Sequence, residues 1–130
     1  MRAVQISASA LQGLCLVALC LAGCTAAVTV AGDPVRGEQL YERRCADCHD
    51  PDANSNGPLH RGVYGRRAGS VPDYHYSPAL AQSQIVWNDA SLNAWLIDPQ
   101  ALVPGQRMKM RVADPQDRAD LIAYLKTLTP

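Results

Sequence analysis

Lysine is almost missing from the 130-residue chain: Lys109 and Lys126 are the only two. Basic and acidic side chains balance at 12 each, so the formal charge is zero and a strongly basic nucleic-acid-binding surface is disfavoured. The apolar run near the N-terminus, Leu14 to Ala22, has about nine residues, where about twenty are needed to cross a bilayer. No segment reads as a strand, which argues against a sheet protein, and no internal repeat or low-complexity tract occurs. The length leaves room for one domain with one modest core and makes a second domain unlikely.

The apolar run follows a short segment whose only charged side chain is Arg2, the pattern of a signal peptide. Cys15 and Cys20 lie inside the run and are expected to leave with it. Leu21-Ala22-Gly23-Cys24 resembles a bacterial lipoprotein signal, in which small residues precede a cysteine that is lipidated and becomes the new N-terminus. The expectation is a signal peptide at residues 1–23, a tether at 24–32 and a functional domain at 33–130. Cys24 is the candidate lipidation site. Cleavage beyond it, at Ala26-Ala27, would instead release a soluble protein.

Within the domain, Asp33-Pro34 reads as the start of a helix, with Asp33 as cap and Pro34 at the first position, where its missing N–H costs nothing. Gly37, Leu40, Tyr41 and Arg44 recur on one face of it. From Asp50 to Pro78 the chain is rich in Gly, Pro, Asn and Asp and predicts a long loop, which is uncommon in a compact domain unless a cofactor organises it. Asn88 to Ile97 predicts a short helix capped by Asp89 and stopped by Pro99. A second loop runs from Pro99 to Ala113. The last helix begins at Asp114-Pro115 and carries Leu121, Ile122, Leu125 and Leu128 on one stripe.

The organiser is implied by Cys45-Ala46-Asp47-Cys48-His49. Cys-x-x-Cys-His is the attachment signature of c-type haem: the two thiols add to the porphyrin vinyl groups, and the histidine ligates iron from the proximal side. A thioredoxin-type dithiol would need a βαβ setting, and a zinc site a second Cys or His pair; neither pattern is present. For the sixth ligand the candidates are Met108, Met110, His60 and His75. Met108 is preferred because it sits in a charged loop where it has little to pack against. Met110 lies two residues on, and only one of the two methionines can face the iron. His60 and His75 read more simply as surface or hydrogen-bonding histidines.

From Gly37 to Leu128 the chain resembles class I cytochrome c of the short-chain mitochondrial and bacterial type. The matching stretches are Cys45 to His49, Gly57-Pro58, Tyr64-Gly65-Arg66, Pro72 to Tyr76, Trp87, Pro104 to Met108, and Arg118 to Leu125. The resemblance implies an all-α fold of three to four short helices and long loops wrapped around one covalent haem c. It makes His49 and Met108 the iron ligands and Cys45 and Cys48 the attachment points. Gly37 and Tyr41 would cross Tyr124 where the first and last helices pack. The Pro58 carbonyl would accept the His49 ring N–H, which fixes the imidazole tautomer. Arg66, Tyr76 and Trp87 would hydrogen-bond a haem propionate.

Departures from that pattern carry expectations too. Trp95 stands where the family has tyrosine before the methionine loop, and Leu80 stands near the inner propionate where it has asparagine; both predict a more apolar pocket. Lysines ring the haem edge in mitochondrial proteins, whereas here they are nearly absent, with only Lys109 and Lys126 left. Arg107, Lys109 and Arg111 surround Met108, and Arg43, Arg44, Arg61 and Arg67 are candidates for the same rim. A His/Met iron has no free position, so the expected role is a monomeric, non-enzymatic carrier of single electrons. Its partners would be a donor complex and a terminal oxidase, reductase or photosynthetic acceptor, and it would sit lipid-anchored on the periplasmic side of a bacterial membrane. The rival readings are a cytochrome subunit of a periplasmic dehydrogenase and a haem-based gas sensor.

Overall fold

The computed structural model describes residues 30–130. The signal-peptide and lipidation expectations, including Cys24, therefore lie outside the described residues. The last three residues of the expected tether, Val30, Ala31 and Gly32, lie inside: Ala31 O accepts from Gln116 Nε2 at 2.9 Å, and Gly32 packs on Ala119.

Five helices and no named strand make up the described residues, joined by loops that meet in one antiparallel bridge between Arg67 and Val86. The first, α1 (Pro34–Arg44), begins as expected: Asp33 is extended and its carboxylate accepts the Val35 N–H at 2.9 Å, with Pro34 next in line. The last, α5 (Pro115–Thr127), starts in the same way, with Asp114 accepting from Gln116 and Asp117.

These two helices cross tightly. Gly37 is buried at the crossing, where a Cβ would overlap the Asp120 carbonyl, so the approach requires the missing side chain. Tyr41 packs on Tyr124 with ring centroids 5.2 Å apart. Asp120, fully buried, then ties the two helix starts together. It accepts the Asp33 N–H at 2.7 Å and Gln116 Nε2 at 2.9 Å, and it lies 3.3 Å from the Arg36 guanidinium. Burial alone would raise the Asp120 pKa, but those three partners outweigh it and hold the carboxyl below the usual aspartate range.

The third helix in chain order, α3 (Asp89–Ile97), corrects one expectation. Its cap is Asn88, whose side chain accepts the Ser91 N–H at 3.0 Å while the Ser91 hydroxyl accepts the Asn88 N–H at 2.9 Å, a capping box; Asp89 lies inside the first turn. Two one-turn helices, α2 (Pro78–Ala81) and α4 (Pro99–Leu102), occupy stretches expected to be loop or unassigned. Each has its own Ser or Asp cap and a proline at the first position. Pro99 thus ends α3 and starts α4.

The long loop after Asp50 is closed by side chains reaching backbone: Asn54 Nδ2 donates to Pro72 O at 3.0 Å and Tyr74 Oη to Asn56 O at 2.6 Å. The aliphatic and aromatic faces of α1, α3 and α5 form one buried cluster. That cluster does not close on itself; it lines a cleft.

Candidate haem centre

Helix α1 delivers the Cys-x-x-Cys-His segment. Cys45 caps it, its N–H donating to Tyr41 O at 2.7 Å, and the next residues turn back so that Cys48 N–H and His49 N–H both reach Cys45 O, at 3.0 and 2.8 Å. This turn puts both thiols on the wall of one cavity of about 500 Å³. Cys45 is half-buried, Cys48 is exposed, and neither is in a disulfide. Burial pushes the Cys45 thiol up to about 11. A redox-active dithiol is favoured by the opposite shift, a thiol pKa lowered from its ordinary value.

His49 is held from three directions. Its Nδ1 lies 2.8 Å from Pro58 O, as expected, and with that nitrogen donating, Nε2 is the one left to face a metal. Gly57 presses so closely on the ring that a Cβ there would collide with it. The third contact is His60, whose ring stacks on His49 with centroids 4.0 Å apart and planes 17° apart. His60 is therefore on the His49 side of the cavity and is not a distal ligand. Burial lowers the His49 pKa against the pull of Pro58, so the ring is neutral with a lone pair to give. Burial, followed by His49 and Arg66, takes His60 well below its ordinary value.

Met108 lies in the loop after α4, half-buried against the core, while Met110 is exposed at the cavity mouth. The Trp95 indole N–H donates to Met108 Sδ at 3.0 Å. This corrects the expectation of a pocket stripped of polar groups around Trp95, since the indole supplies a donor of its own. Leu80 does present an apolar side chain to the cavity. Gln106, buried two residues before Met108, donates to the Met108 carbonyl and leaves Oε1 without a partner. Sequence reasoning missed both Gln106 and the placement of His60. The period of two along an extended loop was the available signal for Gln106, because it puts residues 106 and 108 on one side.

Arg66, Tyr76 and Trp87 all line the cavity. The Arg66 guanidinium is anchored by Leu59 O at 2.8 Å and Arg61 O at 2.7 Å, and the Tyr76 hydroxyl accepts the Val71 N–H at 3.4 Å. Of the expected basic rim, Arg44, Arg67, Arg107 and Lys109 line the cavity. Arg61 is paired with Asp52 and Arg111 with Asp98, and neither lines it, nor does Arg43. His75 is exposed at the mouth.

The donor set fits a haem: two thiols on one wall, an imidazole with one nitrogen free, a thioether in the same cavity, and an apolar lining from Val63, Leu92, Leu96, Leu121 and Leu125. The orphaned Gln106 Oε1 is a buried acceptor that the protein alone leaves unpaired.

A helical shell built around one cleft with this donor set defines the class as small c-type haem proteins. The cytochrome c family profile matches residues 34–129. Cytochrome c of Euglena viridis is 47% identical over 100 residues, covering 75% of this chain and 98% of that protein. Cytochrome c2 of Rhodomicrobium vannielii is 43% identical over 107 residues, covering 79% and 85%. The solved structure of cytochrome cH from Methylobacterium extorquens superposes with a TM-score of 0.71 at 41% identity, over 74% of this chain and 99% of that one. The chain belongs to the cytochrome c family. It carries one covalently attached haem c and is an electron carrier, not an enzyme.

Proposed function

We propose that this carrier works outside the cytoplasm, tethered to a membrane, with His49 and Met108 as its two iron ligands. The observation that carries the ligand assignment is that His49, locked through Pro58 with Nε2 free, shares one cavity with Met108 under the Trp95 indole. A haem held by the His49 imidazole and the Met108 thioether would supply one-electron exchange, with the sulfur favouring the reduced state. Cys45 and Cys48 make the two thioether attachments. Pro58 and Trp95 orient the two ligands, and Arg66, Tyr76 and Trp87 hold a propionate.

With His49 and Met108 both holding the iron, no position would be left for substrate chemistry. The exposed Cys48 and the basic Arg67, Arg107 and Lys109 mark the edge at which a monomer docks on redox proteins, first a donor complex and then a terminal oxidase, reductase or photosynthetic acceptor. Such contacts are small, transient and salt-sensitive.

Lipidation of Cys24 provides the membrane anchor on the periplasmic side. Because Ala31 and Gly32 are fastened on α5, the number of residues between Cys24 and Ala31 sets the reach, which at about 3.5 Å per residue is about 25 Å at most. The domain stays beside its membrane.

Two measurements test the reading. Met108→Ala in the haem-loaded protein abolishes the weak far-red charge-transfer band of iron–sulfur ligation, and an unchanged band rejects Met108. Mass spectrometry of the mature N-terminus finds an acylated Cys24; an unmodified residue beyond it removes the anchor and leaves a freely diffusing carrier.

A further inference from the structure

We infer that His60 is a positioning residue for electron transfer: its ring, stacked flat on His49, fixes the plane of that imidazole and favours the oxidised state of the iron it holds. The inference rests on the proposed role of His49 as ligand.

The geometry has three parts. First, the two rings are nearly parallel at 4.0 Å, the arrangement in which one π face lies against the other. Second, His60 is not free to turn. The Tyr41 hydroxyl donates to the His49 carbonyl at 3.3 Å, so its oxygen is left to accept from His60 Nδ1 at 3.1 Å. Tyr41 is itself buried at the crossing of α1 and α5, 1% exposed, so the His60 ring is fastened to the most rigid part of the fold. Third, the hydrogen bond to Tyr41 places the proton on Nδ1, and no acceptor among the described residues meets Nε2, which makes His60 a neutral ring.

A neutral aromatic face stabilises positive charge laid against it. His49 carries more of that charge when its iron is ferric, because the imidazole donates to the more electron-poor metal. An aliphatic side chain would fill the same space beside the ring without this attraction. His60 therefore lowers the reduction potential relative to an aliphatic residue, and it sets the orientation of the His49 plane over the haem.

The test uses the haem-loaded protein with His60→Leu, which keeps approximate volume, and His60→Phe, which keeps an aromatic face but not the bond to Tyr41. Redox titration and the paramagnetically shifted haem-methyl resonances of the ferric state are read together. Leu raises the potential and changes the spread of the methyl shifts, and Phe gives a smaller rise. If both variants keep the wild-type potential and methyl pattern, His60 only fills space and the inference is overturned. The wild-type spectrum separates this failure from that of the ligand reading: His49 ring protons without large paramagnetic shifts show that His49 does not bind iron, and both fall together. Shifted His49 protons with unchanged variants overturn the His60 role alone.

Discussion

Removing the donor on the methionine sulfur gives the sharpest test of how this pocket sets its electron affinity. In Trp95→Phe the ring remains beside Trp87, whose centroid lies 5.2 Å away, but the N–H that reaches Met108 Sδ at 3.0 Å is lost. With Met108 as the proposed ligand, donation into its sulfur withdraws electron density and disfavours the ferric state, so the variant should have a lower potential. The size follows from the bond. An intramolecular hydrogen bond contributes about 0.5–1.5 kcal/mol net, and only the part that differs between ferric and ferrous states enters the potential. For one electron, 1.4 kcal/mol corresponds to a tenfold change and about 59 mV, so the expected decrease is a few tens of millivolts with a ceiling of about 60 mV. Spectroelectrochemical titration of the haem-loaded variant reads this directly, and the far-red band reports whether sulfur stays bound. A rise in potential with the band intact, or no change at all, would refute the reasoning.

The remaining expectations concern the frame around the site. Gly37→Val puts a side chain into the Asp120 carbonyl at the crossing of α1 and α5; overpacking of this kind costs about 3 kcal/mol, read as a lower thermal midpoint of the haem-loaded protein. Gly57→Ala collides with the His49 ring and is expected to weaken the low-spin spectrum while leaving the α1 and α5 helical signal in place. Asp120 titrates below the usual range when folded, so its stabilisation is present above the unfolded carboxylate pKa of about 3.9 and is lost as the pH falls through the folded value. Asp120→Asn should therefore be less stable than the parent at neutral pH, and the two should converge in acid, as followed by denaturant titrations across pH. Reduced protein with Met108 bound should take up little carbon monoxide at neutral pH, and ready uptake would favour the gas-sensor reading.

Local chemistry made much of the fold legible. Asp33-Pro34 and Asp114-Pro115 are start signals that need no tertiary help, because a carboxylate cap and a proline in the first turn satisfy the same backbone groups wherever they occur. The one-turn helices at Pro78 and Pro99 carry the same kind of signal, yet four residues are too few to show a hydrophobic period. At Asn88-Asp89 two adjacent residues could both cap, and the choice fell to the one whose partner Ser91 could answer reciprocally.

The amino-acid order alone determined the haem chemistry. Cys45, Cys48 and His49 are close in the chain, so their spacing already defines how two sulfurs and one nitrogen can meet a ring. What surrounds that ring is decided by contacts between distant residues. Trp95 reaches Met108 across 13 positions, His60 meets Tyr41 across 19, and Asp33 meets Asp120 across 87. A tryptophan in place of a tyrosine looks like a lost polar group until the fold aims its N–H at sulfur, and a histidine after Pro58 looks like surface until it lies flat on His49. Residue type sets what a side chain is able to do. Only the packing of α1, α3 and α5 settles which partner it does it with, because burial removes the water that would otherwise satisfy each polar group and leaves only the neighbour that the fold supplies.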